Sequence, residues 1–243
     1  KIKNKNCLIM SFLKGVMIKT PSESHCEQLG FELAKMHENT KDFDLKRNNS
    51  LHYLNFQEIF EKCKKSNAIN TEIAKSKFKV KQINTYKDLF FSIQKELDYL
   101  KKYWPINLPK GIIHADLFKD NVFFLDDKLT GFIDFYFSCN DYYAYELAIC
   151  INDWCFQNNV FQIKKCQSII KGYQKIRILQ KNEIKSIPLL LRGAAVRFLL
   201  TRLHDKLFHT LDALVEAKDP LEYFFILRCH QNLQKNSEKI KYV

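Results

Sequence analysis

Residues 111–146 read GIIHADLFKDNVFFLDDKLTGFIDFYFSCNDYYAYE, and this stretch decides the fold. A short apolar strand, Gly111 to Ile113, follows the loop residues Leu108-Pro109-Lys110. A polar loop runs from His114 to Asn121. Two apolar runs, Val122–Leu125 and Leu129–Phe135, then flank Asp126-Asp127-Lys128, which predicts a β-hairpin. Asp134 sits in the second run between apolar neighbours, where a charge is costly unless something cationic meets it.

The spacing indicates what that cation is. His114, Asp116 and Asn121 form H-x-D-x-x-x-x-N, a catalytic-loop pattern of phosphotransferring enzymes, and Asp134 at the end of the next hairpin completes it. Phosphoryl transfer from ATP asks a protein mainly to position reactants and neutralise charge. Asp116 would orient, or take the proton of, an attacking hydroxyl. Asn121 and Asp134 offer the hard oxygen ligands that suit Mg²⁺. His114 would brace the loop from within. Ordinary loop polarity explains each residue singly, but not the four in this order.

The segments HADLFKDNVFF (114–124), GFIDFYFSCND (131–141) and ELAICINDWCF (146–156) resemble the bacterial homoserine kinases of the aminoglycoside-phosphotransferase and choline-kinase type. The resemblance extends through SFLKG (11–15), the Cys26-to-His37 helix, LLLRGAAVRFLLTRLHD (189–205) and KDPLEYF (218–224). It implies a protein-kinase-like fold, MgATP as donor, and phosphorylation of the L-homoserine hydroxyl in threonine biosynthesis. By resemblance Asp116 is the catalytic aspartate, and Asn121 and Asp134 are the metal ligands. Relatives of this type usually carry Asp where Glu146 stands, so Glu146 is expected to prop the catalytic loop with one added methylene. The resemblance also makes Cys7–Phe12 a strand leading to an inter-lobe hinge, with adenine met at Ser11 and Leu13. Choline, aminoglycoside or sugar acceptors, and a non-catalytic ligand- or partner-binding role, are the alternatives.

The expected class is α+β and mostly helical: a kinase-like C-terminal lobe over residues 16–243, with residues 1–15 a remnant of the N-terminal lobe and hinge. Six glycines in all leave no Gly-rich phosphate loop, and few residues precede the hinge. The expectation is therefore a lobe whose partner is missing or separately encoded, weak or inactive alone.

Lys and Arg exceed Asp and Glu to give a net charge of +12, which suits ATP and an anionic substrate. The lysines are scattered and no nucleic-acid motif appears, so no nucleic-acid partner is expected. No apolar run is long enough for a membrane span. Eight cysteines without a C-x-x-C pair argue against zinc and for core-filling thiols in a reducing cytoplasm.

Helices are expected from a Thr20 cap with Pro21 and Glu23 through His37, then over Phe56–Cys63 and Asn84–Tyr103, which Pro105 stops. Further helices are expected over Asn140–Phe156, Phe161–Gln174, Glu183–Leu207 and from Pro220. Glu38–Ser50 reads as loop and Lys64–Lys81 as a lysine-rich insertion. Asn152 and Asp153 either face the substrate cleft or cap neighbouring loops. Arg192, Arg197 and Arg202 fall five apart, so successive members rotate about 140° and share no face. Arg197, between Val196 and Phe198, is the candidate for forking onto a substrate carboxylate, with Asp153 a second substrate candidate.

Overall fold

A computed structural model describes residues 11–66, 76, 85–208, 218–235 and 242. The chain enters through a two-residue strand, β1 (Val16–Met17), and turns into helix α1 (Glu23–Asn39). The cap of α1 is Ser22 rather than Thr20: its hydroxyl accepts the His25 N–H, and the Ser22 N–H donates to His25 Nδ1. The imidazole does what a glutamate does in a conventional capping box, so the sequence signal points two residues early. Helix α2 (Phe56–Lys64) and helix α3 (Tyr86–Tyr103) follow. Thr85 and Asp88 cap α3 reciprocally, and it stops at Trp104, just before Pro105.

Strand β2 (Lys110–Ile113) leads into the polar loop, which closes in a 3₁₀ turn at Lys119–Asn121. The hairpin is β3 (Val122–Leu125) and β4 (Lys128–Phe132), with β1 antiparallel to β3 on its other edge. The second run ends at Phe132, short of the expected Phe135, because Asp134 adopts a left-handed backbone (φ 61°) and breaks the pleat. Strand β5 (Cys139–Tyr142) pairs antiparallel with β2, and only then does helix α4 (Tyr143–Trp154) begin. The helix expected from Asn140 thus starts three residues later, since those residues hydrogen-bond to β2.

A small hairpin, β6 (Phe156–Gln157) and β7 (Val160–Phe161), takes Phe161 out of the following helix, α5 (Ile163–Gln174). Helices α6 (Lys181–Phe208) and α7 (Pro220–Lys235) complete the described fold. The architecture is a mostly helical α+β domain. Asp219 Oδ1 accepts the Leu221 N–H at 2.9 Å, capping α7 as the Asp-Pro-Leu-Glu sequence predicts. Of the expected strand Cys7–Phe12, residues 7–10 lie outside the described residues, and Ser11 and Phe12 are irregular. Most of the expected insertion at Lys64–Lys81 also lies outside them.

The core gathers around α6, whose Leu190, Leu191, Leu199 and Leu200 are fully buried, and where Phe124 of the hairpin meets Trp154. Six of the seven described cysteines are buried within it, and none of the seven is in a disulfide. No helix of the described residues is long and apolar enough to cross a membrane. Helices α1 and α5 pack backbone to backbone at two glycines. A Cβ on Gly30 would lie 1.9 Å from the Ile169 carbonyl oxygen, and one on Gly172 would lie 1.9 Å from that of Glu27. Neither oxygen can move without moving a helix. Gly30→Ala or Gly172→Ala should therefore destabilise by about 1–3 kcal/mol or more in urea unfolding. Wild-type stability in either variant would show that the helices do not meet this closely.

Candidate active site

Helix α4 organises the loop between β2 and β3. Glu146, in its first turn, is fully buried and accepts the backbone N–H groups of His114 and Ala115, the latter at 3.0 and 3.1 Å to its two oxygens. Asp153 lies seven residues further on, two turns along the same helix face. Its carboxylate accepts the Lys119 N–H at 2.8 Å. Trp154 Nε1 donates to the Leu117 carbonyl at 3.2 Å. One helix thus holds the start, middle and end of the loop. Asp153 is engaged in capping, the second of the roles open to it from sequence, and Asn152 is likewise committed, to the Leu191 carbonyl and His230.

The grip on Ala115 matters because its φ is 66°, a conformation that costs a non-glycine residue about 1–2 kcal/mol. Burial pushes the Glu146 carboxyl up, but His37, His114 and the Ala115 N–H outweigh it and leave it below the usual carboxylate range. Behind it, His37 Nε2 stands 3.9 Å away, and His37 Nδ1 is hydrogen-bonded to the Tyr173 hydroxyl at 2.7 Å. Burial pulls His37 below the ordinary imidazole range.

His114 ties the loop to the hairpin. Its Nδ1 accepts the Asp116 N–H at 3.2 Å, so the ring proton sits on Nε2, which donates to the Ile133 carbonyl at 2.8 Å. Asn121 adds two more ties: its Nδ2 donates to the Asp116 carbonyl at 2.8 Å, and its own carbonyl accepts the Ile133 N–H at 3.0 Å. Asp116, Asn121 and the residue before Asp134 are therefore linked through a single hydrogen-bond network. Asn121 has its amide nitrogen committed inward, leaving Oδ1 as the donor atom for a cation. Asp134 is exposed rather than buried among its apolar neighbours, because the left-handed backbone turns it out of the strand. These two oxygen donors fit a hard divalent ion that completes its shell with phosphate and water. Among the described residues, no group of three or more His, Cys, Asp or Glu could hold a metal unaided. Burial raises the Asp116 carboxyl above its ordinary range, with Arg197 and then His114 opposing.

The segment carrying Ser11 and Leu13 crosses the hairpin. Thr130 Oγ1 donates to the Lys14 carbonyl at 2.9 Å, and the Leu13 side chain lies so close over Gly131 that a Cβ there would come within 2.9 Å. Ser11 is exposed. Arg197 is buried on α6, between the rings of Phe137 and Phe198 (5.9 and 4.6 Å to their centroids). The role of His37 behind Glu146 was not visible in sequence, where it read as a helix-end residue.

Residues 3–176 match the family described as "Phosphotransferase enzyme family". The chain belongs to that family. It is 43% identical over 227 residues to the homoserine kinase of Parvibaculum lavamentivorans, covering 93% of this chain and 66% of that protein. It spans about two thirds of the length of the relatives it matches. Among solved structures of phosphotransferases, the aminoglycoside phosphotransferase of Alicyclobacillus acidocaldarius superposes with a TM-score of 0.62 at 15% identity, over 94% of this chain and 71% of that one. An amicoumacin kinase in complex with AMP-PNP, Ca²⁺ and Ami gives a TM-score of 0.60 at 14% identity, over 96% and 66%. At such identities the structural likeness speaks for the fold.

Replacing Glu146 by Gln should expose the weight of the loop brace. Its carboxyl titrates lower folded than unfolded, so its stabilisation is present above the usual glutamate range and is lost as pH falls through the folded value. Glu146→Gln should cost about 1–3 kcal/mol in urea unfolding at neutral pH, with the gap to wild type closing in acid. A variant as stable as wild type at neutral pH would contradict the brace.

Proposed function

We propose that this chain carries the acceptor-activating and metal-binding part of an ATP-dependent kinase acting on a small-molecule hydroxyl, with L-homoserine as the acceptor. The observation that carries the reading is the network joining His114, Asp116, Asn121 and the Ile133–Asp134 turn. The family match and the relatives named homoserine kinase support it. Residues 16–243 are read as the C-terminal lobe of a kinase fold, with the segment before Val16 crossing toward a second lobe.

Asp116 accepts a hydrogen bond from the acceptor hydroxyl and aims its oxygen at the γ-phosphorus. A new O–P bond forms, the bond from the γ-phosphorus to the β,γ-bridging oxygen breaks, and the products are a phosphate ester and ADP. The hydroxyl proton passes to Asp116 and on to solvent. The burial that raises the Asp116 carboxyl also makes it a stronger proton acceptor. His114 keeps its proton on Nε2 and acts as a positioning residue. Asn121 Oδ1 and Asp134 would hold Mg²⁺, which when bound neutralises charge on the β- and γ-phosphates. Ser11 and Leu13 would meet the adenine through their backbone.

In a protein carrying this chain, Asp116→Asn should lower kcat with MgATP and homoserine by roughly 10²–10⁴-fold while leaving the KM for ATP nearly unchanged. Near-normal turnover in that variant would refute the assigned role.

A further inference from the structure

Three arginines of α6 are buried, and two of them have carboxylate partners. Arg192 forks onto Glu96, Nε at 2.7 Å and Nη2 at 2.6 Å, joining α6 to α3. Arg202 pairs with Glu222 at the start of α7. Arg197 lies between them in sequence and is 1% exposed, yet its Nε and Nη1 have no hydrogen-bond partner among the described residues. A guanidinium is always charged, and an unmatched one in the interior is strongly disfavoured unless an anion meets it.

Its surroundings belong to the proposed site. Phe137, whose ring centroid is 5.9 Å from the guanidinium carbon, ends the 3₁₀ turn that begins directly after Asp134. The Tyr145 hydroxyl, on α4 one residue before Glu146, is buried without a hydrogen bond of normal geometry, although it feels the Arg197 charge. The Ser138 hydroxyl, next to Phe137, is also buried and unpartnered. Arg197 is also the leading positive charge acting on Asp116, but it makes no hydrogen bond to it. Unused polar groups thus gather about Arg197 and the turn that follows Asp134. The Phe137 ring faces the guanidinium from a turn whose other residues, Phe135 and Tyr136, are 49% and 72% exposed, so that a shift of this turn would uncover it.

We propose that Arg197 is the carboxylate anchor of the phosphoryl acceptor, so that the enzyme selects small hydroxy- or amino-acid alcohols and rejects the corresponding simple alcohols and amino alcohols. The inference rests on the kinase reading and deepens it. The planar fork of N–H donors matches a carboxylate bidentately, and the flanking rings fix its plane. Residues Tyr145 and Ser138 supply further hydrogen-bonding capacity for the same polar end of the acceptor.

The test compares homoserine with 3-aminopropan-1-ol, which keeps the hydroxyl and amine but lacks the carboxylate. Wild-type protein should favour homoserine in kcat/KM by about 10–100-fold or more. Arg197→Lys and Arg197→Met should raise the homoserine KM by a similar factor and lower kcat/KM for 3-aminopropan-1-ol far less, collapsing the preference. The wild-type comparison stands even if a variant fails to fold. Equal use of both alcohols by wild type would overturn the proposal while leaving the kinase reading intact. So would variants that lose kcat equally on both alcohols, which would make Arg197 only a counter-charge to Asp116. Turnover of neither alcohol by a protein carrying this chain together with an ATP-binding lobe, with MgATP supplied, would overturn the kinase reading and this proposal with it.

Discussion

The site depends on one buried carboxylate. Glu146 accepts two successive backbone N–H groups, His114 and Ala115, and so holds a non-glycine residue in a left-handed conformation immediately before Asp116. Left alone, Ala115 would relax toward the allowed regions and swing Asp116 away from Asn121. A charged acceptor with no water around it makes those two bonds worth more than they would be at the surface, and correspondingly costly to break. Asp153 and Trp154 extend the grip to Lys119 and Leu117, so α4 acts as a rigid template for the loop. Functional constellations need this kind of support from regular elements.

The second constraint is the coupling of loop to hairpin. His114 and Asn121 each bond to Ile133, one through the carbonyl and one through the N–H, and thereby set where Asp134 begins its turn. Both Ala115 and Asp134 have positive φ, at 66° and 61°. Strain at two residues of one motif is held by the surrounding hydrogen bonds, a pattern typical of sites where side-chain direction is what matters. Asp134 shows the consequence: the left-handed turn lifts its carboxylate out of an apolar strand into the open, where a cation and phosphate can reach it.

Much of this was legible in the sequence. The loop-then-hairpin order, the capped start at Asp219, the stop before Pro105 and the α1 stripe of Cys26, Leu29, Leu33 and Met36 (the first three buried, Met36 partly so) follow from turn chemistry and helical spacing. Three features were not. Cys139–Tyr142 carries no alternation, so its pairing with β2 was hidden and Asn140–Tyr142 read as the front of a helix. An alanine gives no sign that its backbone will be left-handed, which depends on Glu146 thirty-one residues away. The exposure of Asp134 depends on a backbone angle, whereas its neighbours in sequence suggested burial. The five-residue spacing of the α6 arginines did foretell separate environments, but not that only Arg197 of the three would lack a partner among the described residues.

The central claim is that loop and hairpin converge on one metal–nucleotide site through Asn121 Oδ1 and Asp134. Its most direct test is electron paramagnetic resonance of Mn²⁺ titrated, in the presence of ATP, into a protein carrying this chain, its Asp134→Asn variant and its Asn121→Leu variant. The geometry predicts a protein-bound Mn²⁺ signal in the parent that is weakened at least tenfold in either variant, with the folded state retained. A signal of equal strength in all three proteins would contradict it.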